Sequence, residues 1–202
     1  MRALVVIPTY NEAANIEEVL RRLRDACPRA SVLVVDDGSP DGTADLAESV
    51  AAELGDIEVM RRPAKSGLGS AYRDGFRHGL THGFDILVEM DSDLQHDPAA
   101  LPSLLAGVEG GADLVIGSRY IPGGSIPDWT WHRRALSKWG NRYAARVLGF
   151  GVRDATSGYR AYAAPALAEI DFQTVRADGY GFQIEMAHRV LQSGGAITEV
   201  PI

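Results

Sequence analysis

Apolar and polar positions along this chain change period repeatedly, and each change marks an element. Residues 3–7 (Ala-Leu-Val-Val-Ile) form a short continuous apolar run, as expected of a strand buried on both faces of a parallel sheet. Over residues 11–26 the period becomes helical: Ile16, Val19, Leu20 and Leu23 share one face, with Glu17, Glu18, Arg21 and Arg22 off it. Residues 32–35 read as a second buried strand, and the Asp, Gly, Ser and Pro residues of 36–42 predict a loop. The alternation continues with a helix over 43–54, a strand at 57–60, a helix over 66–81 and a strand at 85–90. Residues 98–109 are predicted helical, with Asp97 as N-cap and Pro98 at the first helical position, where its missing N–H is tolerated. A strand at 113–116, a late helix near 182–192 and a strand over 196–202 complete the pattern.

Strand and helix in alternation predict one open α/β domain whose ligand site lies in the loops at the strand C-termini. Beyond Tyr120 the pattern loosens into a Gly/Pro-rich loop and then a basic helix over residues 133–148. No internal repeat, low-complexity tract or linker divides the chain.

Composition narrows the class. A chain of 202 residues, 46% hydrophobic and 23% charged, has material for one sizeable core and is not a disordered segment. Its net charge of -7 argues against a nucleic-acid binder, because phosphate backbones demand a basic surface. The single cysteine, Cys27, excludes an intrachain disulfide and reads as a small core residue closing an amphipathic stretch. No apolar run approaches the roughly 20 residues that span a bilayer, and residues 3–7 are too short for a signal peptide. The expectation is a cytoplasmic protein.

Where the acidic residues fall decides the chemistry. Asp36 and Asp37 end the second predicted strand, while Asp91 and Asp93 end the fourth. In a parallel sheet these positions share one edge and face one crevice. The first strand-to-helix turn is Pro8-Thr-Tyr-Asn-Glu12 and lacks Gly-x-Gly-x-x-Gly, which excludes the pyrophosphate nest of a nicotinamide oxidoreductase. Asp91-Ser-Asp93, with Gln95 following, sets oxygen ligands on a tight turn, and alternate residues of an extended segment point the same way. A lone Asp-x-Asp is usually an acidic turn; after a buried strand, beside a second acidic loop, it predicts a Mg2+ or Mn2+ site for a diphosphate.

Pro8-Thr-Tyr-Asn-Glu12, Val35-Asp-Asp-Gly-Ser-Pro-Asp-Gly-Thr43, Asp91-Ser-Asp-Leu-Gln-His96, Gly117-Ser-Arg-Tyr120 and Thr156-Ser-Gly-Tyr-Arg160 occur in order. Together they resemble the inverting family 2 glycosyltransferases of GT-A fold, most closely the dolichol-phosphate and polyprenol-phosphate mannose synthases. The likeness extends over essentially all 202 residues. It implies a single Rossmann-like nucleotide-diphospho-sugar transferase domain with a mostly parallel central sheet. It also implies GDP-mannose as donor, a polyprenyl phosphate as acceptor, and Mg2+ or Mn2+ held by Asp91, Asp93 and Gln95.

The same resemblance places Pro8, Tyr10 and Glu12 in the nucleotide pocket and Asp37 on the base, as suits an acceptor facing ring N–H groups. Asp91 also faces the nucleotide sugar, and Asp36 either touches the ligand or caps its own loop. Arg119, Arg133 and Ser137 match the acceptor-phosphate site, where a planar guanidinium pairs with phosphate oxygens. Asp93, Arg119 and Arg133 are the implied catalytic set. Asp154 and Ser157 are implied contacts near sugar and acceptor, Gly158 reads as a turn residue, and Glu185 is an outlying candidate. Phe182, Ile184 and Met186 read as core.

His132, Arg133, Arg134, Lys138, Arg142 and Arg146 form a basic cluster in an acidic chain, interleaved with Trp129, Trp131, Trp139 and Tyr143. A solvated helix face is the ordinary meaning of such a cluster. Tryptophan beside Lys and Arg is also what a segment at a lipid headgroup layer presents, which predicts peripheral attachment at the cytoplasmic membrane face. Two alternatives stay open: a family 2 enzyme using a UDP-sugar, such as a polyprenyl-phosphate glucosyltransferase, and a non-catalytic module binding sugar nucleotide or lipid phosphate. The resemblance further implies a basic stretch beyond Ile202, so a domain ending there is expected to bind nucleotide but to transfer poorly to lipid.

Overall fold

The computed structural model describes residues 1–125, 141 and 151–202. Arg133, Ser137 and the rest of the basic and aromatic cluster, Trp129, Trp131, His132, Arg134, Lys138, Trp139, Arg142, Tyr143 and Arg146, lie outside the described residues.

From the N-terminus the chain forms β1 (Ala3–Thr9), α1 (Ile16–Ala26), β2 (Ser31–Asp36), α2 (Thr43–Leu54), β3 (Ile57–Arg61), α3 (Leu68–Thr81) and β4 (Ile86–Glu89). A 3-10 turn (Pro98–Ala100) leads into α4 (Leu101–Glu109) and β5 (Leu114–Ser118). After the undescribed segment come β6 (Arg160–Ala163), α5 (Ala164–Glu169), a second 3-10 turn (Phe172–Thr174), α6 (Tyr180–Gln192) and β7 (Ile197–Pro201). The described strands make one seven-stranded sheet in the order β3-β2-β1-β4-β6-β5-β7. Strand β6 runs antiparallel to both of its neighbours, and the other pairs are parallel.

The apolar runs behave as two-sided strands. Along β1, Ala3, Val5 and Ile7 face one core with Ile16, Val19, Leu20 and Leu23 of α1, while Leu4 and Val6 face the other with Tyr72 and Phe76 of α3. Helices thus cover both faces, which is why strand positions on either side carry apolar residues. Helix α3 lies unusually close to the sheet. A Cβ added at Gly75 would stand 2.3 Å from Cγ1 of Val6, so only glycine allows that approach. Cys27 is buried in the first core, and Phe182 and Met186 are buried in the second, with Ile184 packed against it.

Three helices start later than their sequence patterns suggest, α1 at Ile16, α3 at Leu68 and α4 at Leu101. Residues 11–15 form a turn, with Asn11 at φ 61° and the backbone amides of Asn15 and Ile16 donating to the Glu12 carbonyl, so α1 begins only at Ile16. Asp97 caps as expected, its Oδ1 accepting from the Ala99 amide at 3.0 Å. The elements not predicted are β6 and the short α5 that follows it. The four residues of β6, with Arg160 at the start, carry too little apolar periodicity to stand out, yet they sit inside the sheet between β4 and β5.

Candidate active site

The C-terminal ends of β1, β2 and β4 open on one cavity of about 330 Å3. Pro8, Tyr10 and Glu12 line it from the turn after β1, Asp37 from the end of β2, and Asp91 and Asp93 from the turn after β4. Lys65, Gly67 and Leu68 close a further side. Parallel strands put their C-terminal loops at one edge, which is how residues more than 80 positions apart in sequence come to share a wall.

Asp36 and Asp37 are adjacent, yet the pleat sends them to different tasks. Asp36 is buried and turned into its own loop: Oδ1 accepts from the Thr9 hydroxyl at 3.0 Å and the Ser39 hydroxyl at 2.6 Å, and Oδ2 from the Ser39 amide at 2.9 Å. Of the two roles open to Asp36, the geometry is that of the loop cap, and Asp36 does not line the cavity. Asp37 does line it. Its Oδ2 accepts from the Ser66 amide at 3.0 Å, and its Oδ1 lies 2.7 Å from Nη1 of Arg62 in an ion pair that no hydrogen-bond angle completes. Arg62 also reaches Asp74 at 3.2 Å and donates to the Ser70 hydroxyl at 2.6 Å. The loop that carries Lys65 is therefore tied at Asp37 and at α3.

Tyr10 and Lys65 meet across the mouth, with the Lys65 ammonium 4.0 Å from the centre of the Tyr10 ring. Glu12 is held by its amide, which donates to the Thr43 hydroxyl at 2.9 Å, and its carboxylate accepts from the Asn15 side chain at 3.0 Å.

On the opposite wall, Asp91 accepts from the Tyr72 hydroxyl at 2.9 Å through Oδ1. Its backbone amide donates to Nδ1 of His96 at 3.3 Å, which places the ring proton on Nε2. The crowded surroundings raise the Asp91 carboxyl above its ordinary range, against the pull of His96 and Tyr72. Burial in turn lowers His96, against the attraction of Asp91. Asp93 is exposed and accepts from the Gln95 amide at 3.0 Å, around a turn in which Leu94 takes φ 61°. Gln95 is exposed and is not among the residues lining the cavity.

The donor set suits a hard divalent cation. Asp91 and Asp93 offer carboxylate oxygens on one wall of a cavity that also has room for a diphosphate. Among the described residues no group of three or more His, Cys, Asp and Glu is placed to hold an ion alone. Mg2+ or Mn2+ held here would complete its shell with ligand and water oxygens, as such ions ordinarily do.

Arg119 follows β5 and makes a bidentate pair with Asp154, Nε to Oδ2 at 2.7 Å and Nη2 to Oδ1 at 2.8 Å, with Nη2 also 3.2 Å from the Thr156 hydroxyl. Asp154 is fully buried, and its loop is anchored from β7, since Glu199 accepts from the amides of Arg153 and Asp154 at 3.0 Å each. Burial would raise the Asp154 carboxyl, but the Arg119 guanidinium overrides it and holds it below the usual range. A second cavity, of about 170 Å3, adjoins the first and shares Leu68 and Asp91 with it. Thr156, Gly158, Tyr180 and Gln183 form its other side.

Ser157 is buried and engaged with the Tyr159 amide at 3.4 Å. Glu185 pairs with Arg189 along α6 at 2.6 Å and lines neither cavity. Gly158 is more than a turn residue: a Cβ there would lie 2.9 Å from Oδ2 of Asp91, so the glycine keeps that carboxylate accessible. Lys65, Arg62, His96 and Tyr72 were not singled out from sequence. Tyr72 is hidden in the apolar stripe of α3, and Arg62 and Lys65 look like ordinary surface charge in a turn-rich stretch. His96 stood inside a motif without a role of its own.

A parallel-strand edge carrying two acidic turns around one cavity is the ligand-binding edge of an open α/β protein. The chain belongs to Glycosyl transferase family 2, which it matches over residues 4–171, and it is a glycosyltransferase. It is 50% identical over 202 residues to polyprenol monophosphomannose synthase of Mycolicibacterium smegmatis, covering all of this chain and 76% of the relative. It is likewise 50% identical over 202 residues to undecaprenyl-phosphate mannosyltransferase of Micrococcus luteus, covering all of this chain and 83% of that one. The fold is similar to that of glucosyl-3-phosphoglycerate synthase from Mycobacterium tuberculosis in complex with Mn2+, UDP and phosphoglyceric acid. That similarity has a TM-score of 0.71 at 25% identity and covers 99% of this chain and 68% of the other.

Proposed function

We propose that this enzyme transfers mannose from GDP-mannose to a polyprenyl phosphate, with inversion at the anomeric carbon, giving polyprenyl-phosphate mannose and GDP. The observation that carries the reading is the single cavity in which Tyr10, Asp37 and Lys65 share walls with Asp91 and Asp93. One end offers a carboxylate and an aromatic ring to a nucleoside, and the other offers hard oxygens to a diphosphate. The names of the 50% identical relatives support mannose as the sugar and a polyprenyl phosphate as the acceptor.

In this reading Pro8, Tyr10, Glu12 and Asp37 hold the nucleoside. Asp91 and Asp93, with Gln95 brought in by the same turn, hold Mg2+ or Mn2+, which when bound neutralises charge on the departing diphosphate. Arg119, with Arg133 and Ser137, receives the acceptor phosphate. The Arg119–Asp154 pair fixes the guanidinium before any acceptor arrives, so little reorganisation accompanies binding. An acceptor phosphate is already anionic near neutral pH, its second pKa being about 6, so no side chain has to act as a general base. Because the lipid acceptor lies in a membrane, the enzyme works from the membrane surface. No described helix is long and apolar enough to cross one.

Isothermal titration of GDP, GDP-mannose and UDP-glucose, each with and without Mn2+, tests the proposal when repeated on Asp93→Ala. The expected result is Mn2+-dependent binding of the GDP compounds, weakened at least tenfold, about 1.4 kcal/mol, by the substitution. A preference for UDP-glucose would transfer the reading to a UDP-sugar enzyme. Absence of nucleotide binding by the unaltered protein would overturn the reading.

A further inference from the structure

Tyr72 carries a polar tip in the apolar stripe of α3. It is fully buried, and its ring stacks with Phe76, 6.0 Å away centre to centre, and with Phe182 of α6, 6.1 Å away. Phenylalanine would fill that place as well, so packing alone does not call for the hydroxyl. The hydroxyl donates to Oδ1 of Asp91 at 2.9 Å. Burial and the neighbouring Asp91 carboxylate push the phenol well above its ordinary range, so it stays a proton donor wherever the protein is folded.

That bond decides which oxygen Asp91 can offer. With Oδ1 taken by Tyr72, Oδ2 turns toward Gly158, where an added Cβ would stand 2.9 Å from it. His96 does not occupy Oδ2 either: its Nδ1 is 3.9 Å away, beyond hydrogen-bond length, and accepts from the Asp91 amide instead. Asp91 lines both cavities and Gly158 lines the second, so Oδ2 is the oxygen on the open side. We infer that Tyr72 is a positioning residue, holding Asp91 in the orientation that presents Oδ2 alone to a divalent cation, with Gly158 keeping that side clear. Hydrogen bonds from neighbouring groups ordinarily orient a ligating carboxylate in this way. A donor fixed in a packed core does so without further loss of side-chain freedom. The inference rests on the metal site of the proposed function.

The ordinary alternative is that Tyr72 is a core aromatic whose hydroxyl has taken the nearest acceptor. Tyr72→Phe, which keeps the stacked ring and removes only the hydroxyl, separates the two. GDP is titrated into the unaltered protein and the variant, once with Mn2+ and once with EDTA. With Mn2+ the affinity of the variant is expected to fall about tenfold or more, the usual cost of removing the partner of a metal ligand, while with EDTA it stays within about twofold. Unchanged affinity with Mn2+ would overturn the inference. So would an equal loss in both titrations, which would make Tyr72 a packing residue. Gly158→Ala gives a second reading with the hydroxyl in place, and it carries the test alone if Tyr72→Phe does not fold. Its methyl crowds Oδ2 while Tyr72 keeps the carboxylate from swinging away, so the gain in GDP affinity from Mn2+ should shrink there too. An undiminished gain in Gly158→Ala would show that Oδ2 is not the oxygen offered and would overturn the inference. If GDP binding by the unaltered protein does not depend on Mn2+, the metal site itself fails first and takes this inference with it.

Discussion

At the scale of single residues, the site is built from side chains whose charges are already committed. Asp154 is the clearest case, fully buried and bidentate to Arg119, whose side chain is 12% exposed. Removing one partner of such a pair strands the other, at a cost of about 3 kcal/mol or more. Asp154→Asn is therefore expected to lower the urea midpoint at pH 7. The pH dependence has a definite sign. The folded carboxyl is held below its ordinary range, so its contribution is fully present above that range and is lost as pH falls through the folded value. Below about pH 4 the unaltered protein should thus lose stability more steeply with acid than Asp154→Asn does. Parallel acid slopes in urea melts would show that Asp154 is not held down in this way.

At the scale of elements, the tight seat of α3 on the sheet decides the shape of the cavity. Its N-terminal end brings Gly67 and Leu68 to the larger cavity, and Tyr72, one turn on, reaches Asp91. Gly75 permits this, because an added Cβ would meet Cγ1 of Val6 at 2.3 Å, and a β-branched valine cannot swing aside. Gly75→Ala carries two opposing effects. Alanine favours the helix by about 1 kcal/mol, whereas overpacking a fitted interface costs about 1–3 kcal/mol. The clash should prevail here: the thermal midpoint is expected to fall, and Asp91-dependent nucleotide binding should weaken with it as α3 lifts. A raised midpoint would mean that the sheet yields more readily than its packing implies.

At the scale of the whole molecule, sheet topology gathers the candidate site residues at one edge. The proposed nucleotide residues come from the ends of β1 and β2, acidic residues from the turn after β4, and Arg119 with Asp154 from the far side of β6. Under the proposed function the donor diphosphate and the acceptor phosphate enter from opposite ends of this edge, the geometry of a single in-line displacement. A GDP-linked α-mannosyl donor should then give a β-linked lipid product, which the anomeric coupling in the NMR spectrum of the isolated product reports. A product retaining the α configuration would remove the single-displacement mechanism.

Sequence by itself determined the α/β class, the order of the elements on either side of the undescribed segment except β6 and the short α5, and the two acidic turns. Those features are local. A strand buried on both faces must be continuously apolar, a surface helix must show its stripe, and a turn must contain residues that tolerate it. The adjacent Asp36 and Asp37 show where that reasoning stops, because which carboxylate caps a loop and which meets the cavity depends on side-chain direction at a strand end. Strand β6 shows the same limit at a larger scale. A short segment beginning with arginine becomes a central strand only because β4 and β5 are there to pair with it and Arg160 finds three carbonyls to bind. Tertiary structure alone decided that Arg62 would hold Asp37 and that Arg119 would be paired with Asp154. Each of these depends on contacts between segments far apart in the chain, and no period or motif in one segment encodes the charge or the gap that another will present to it.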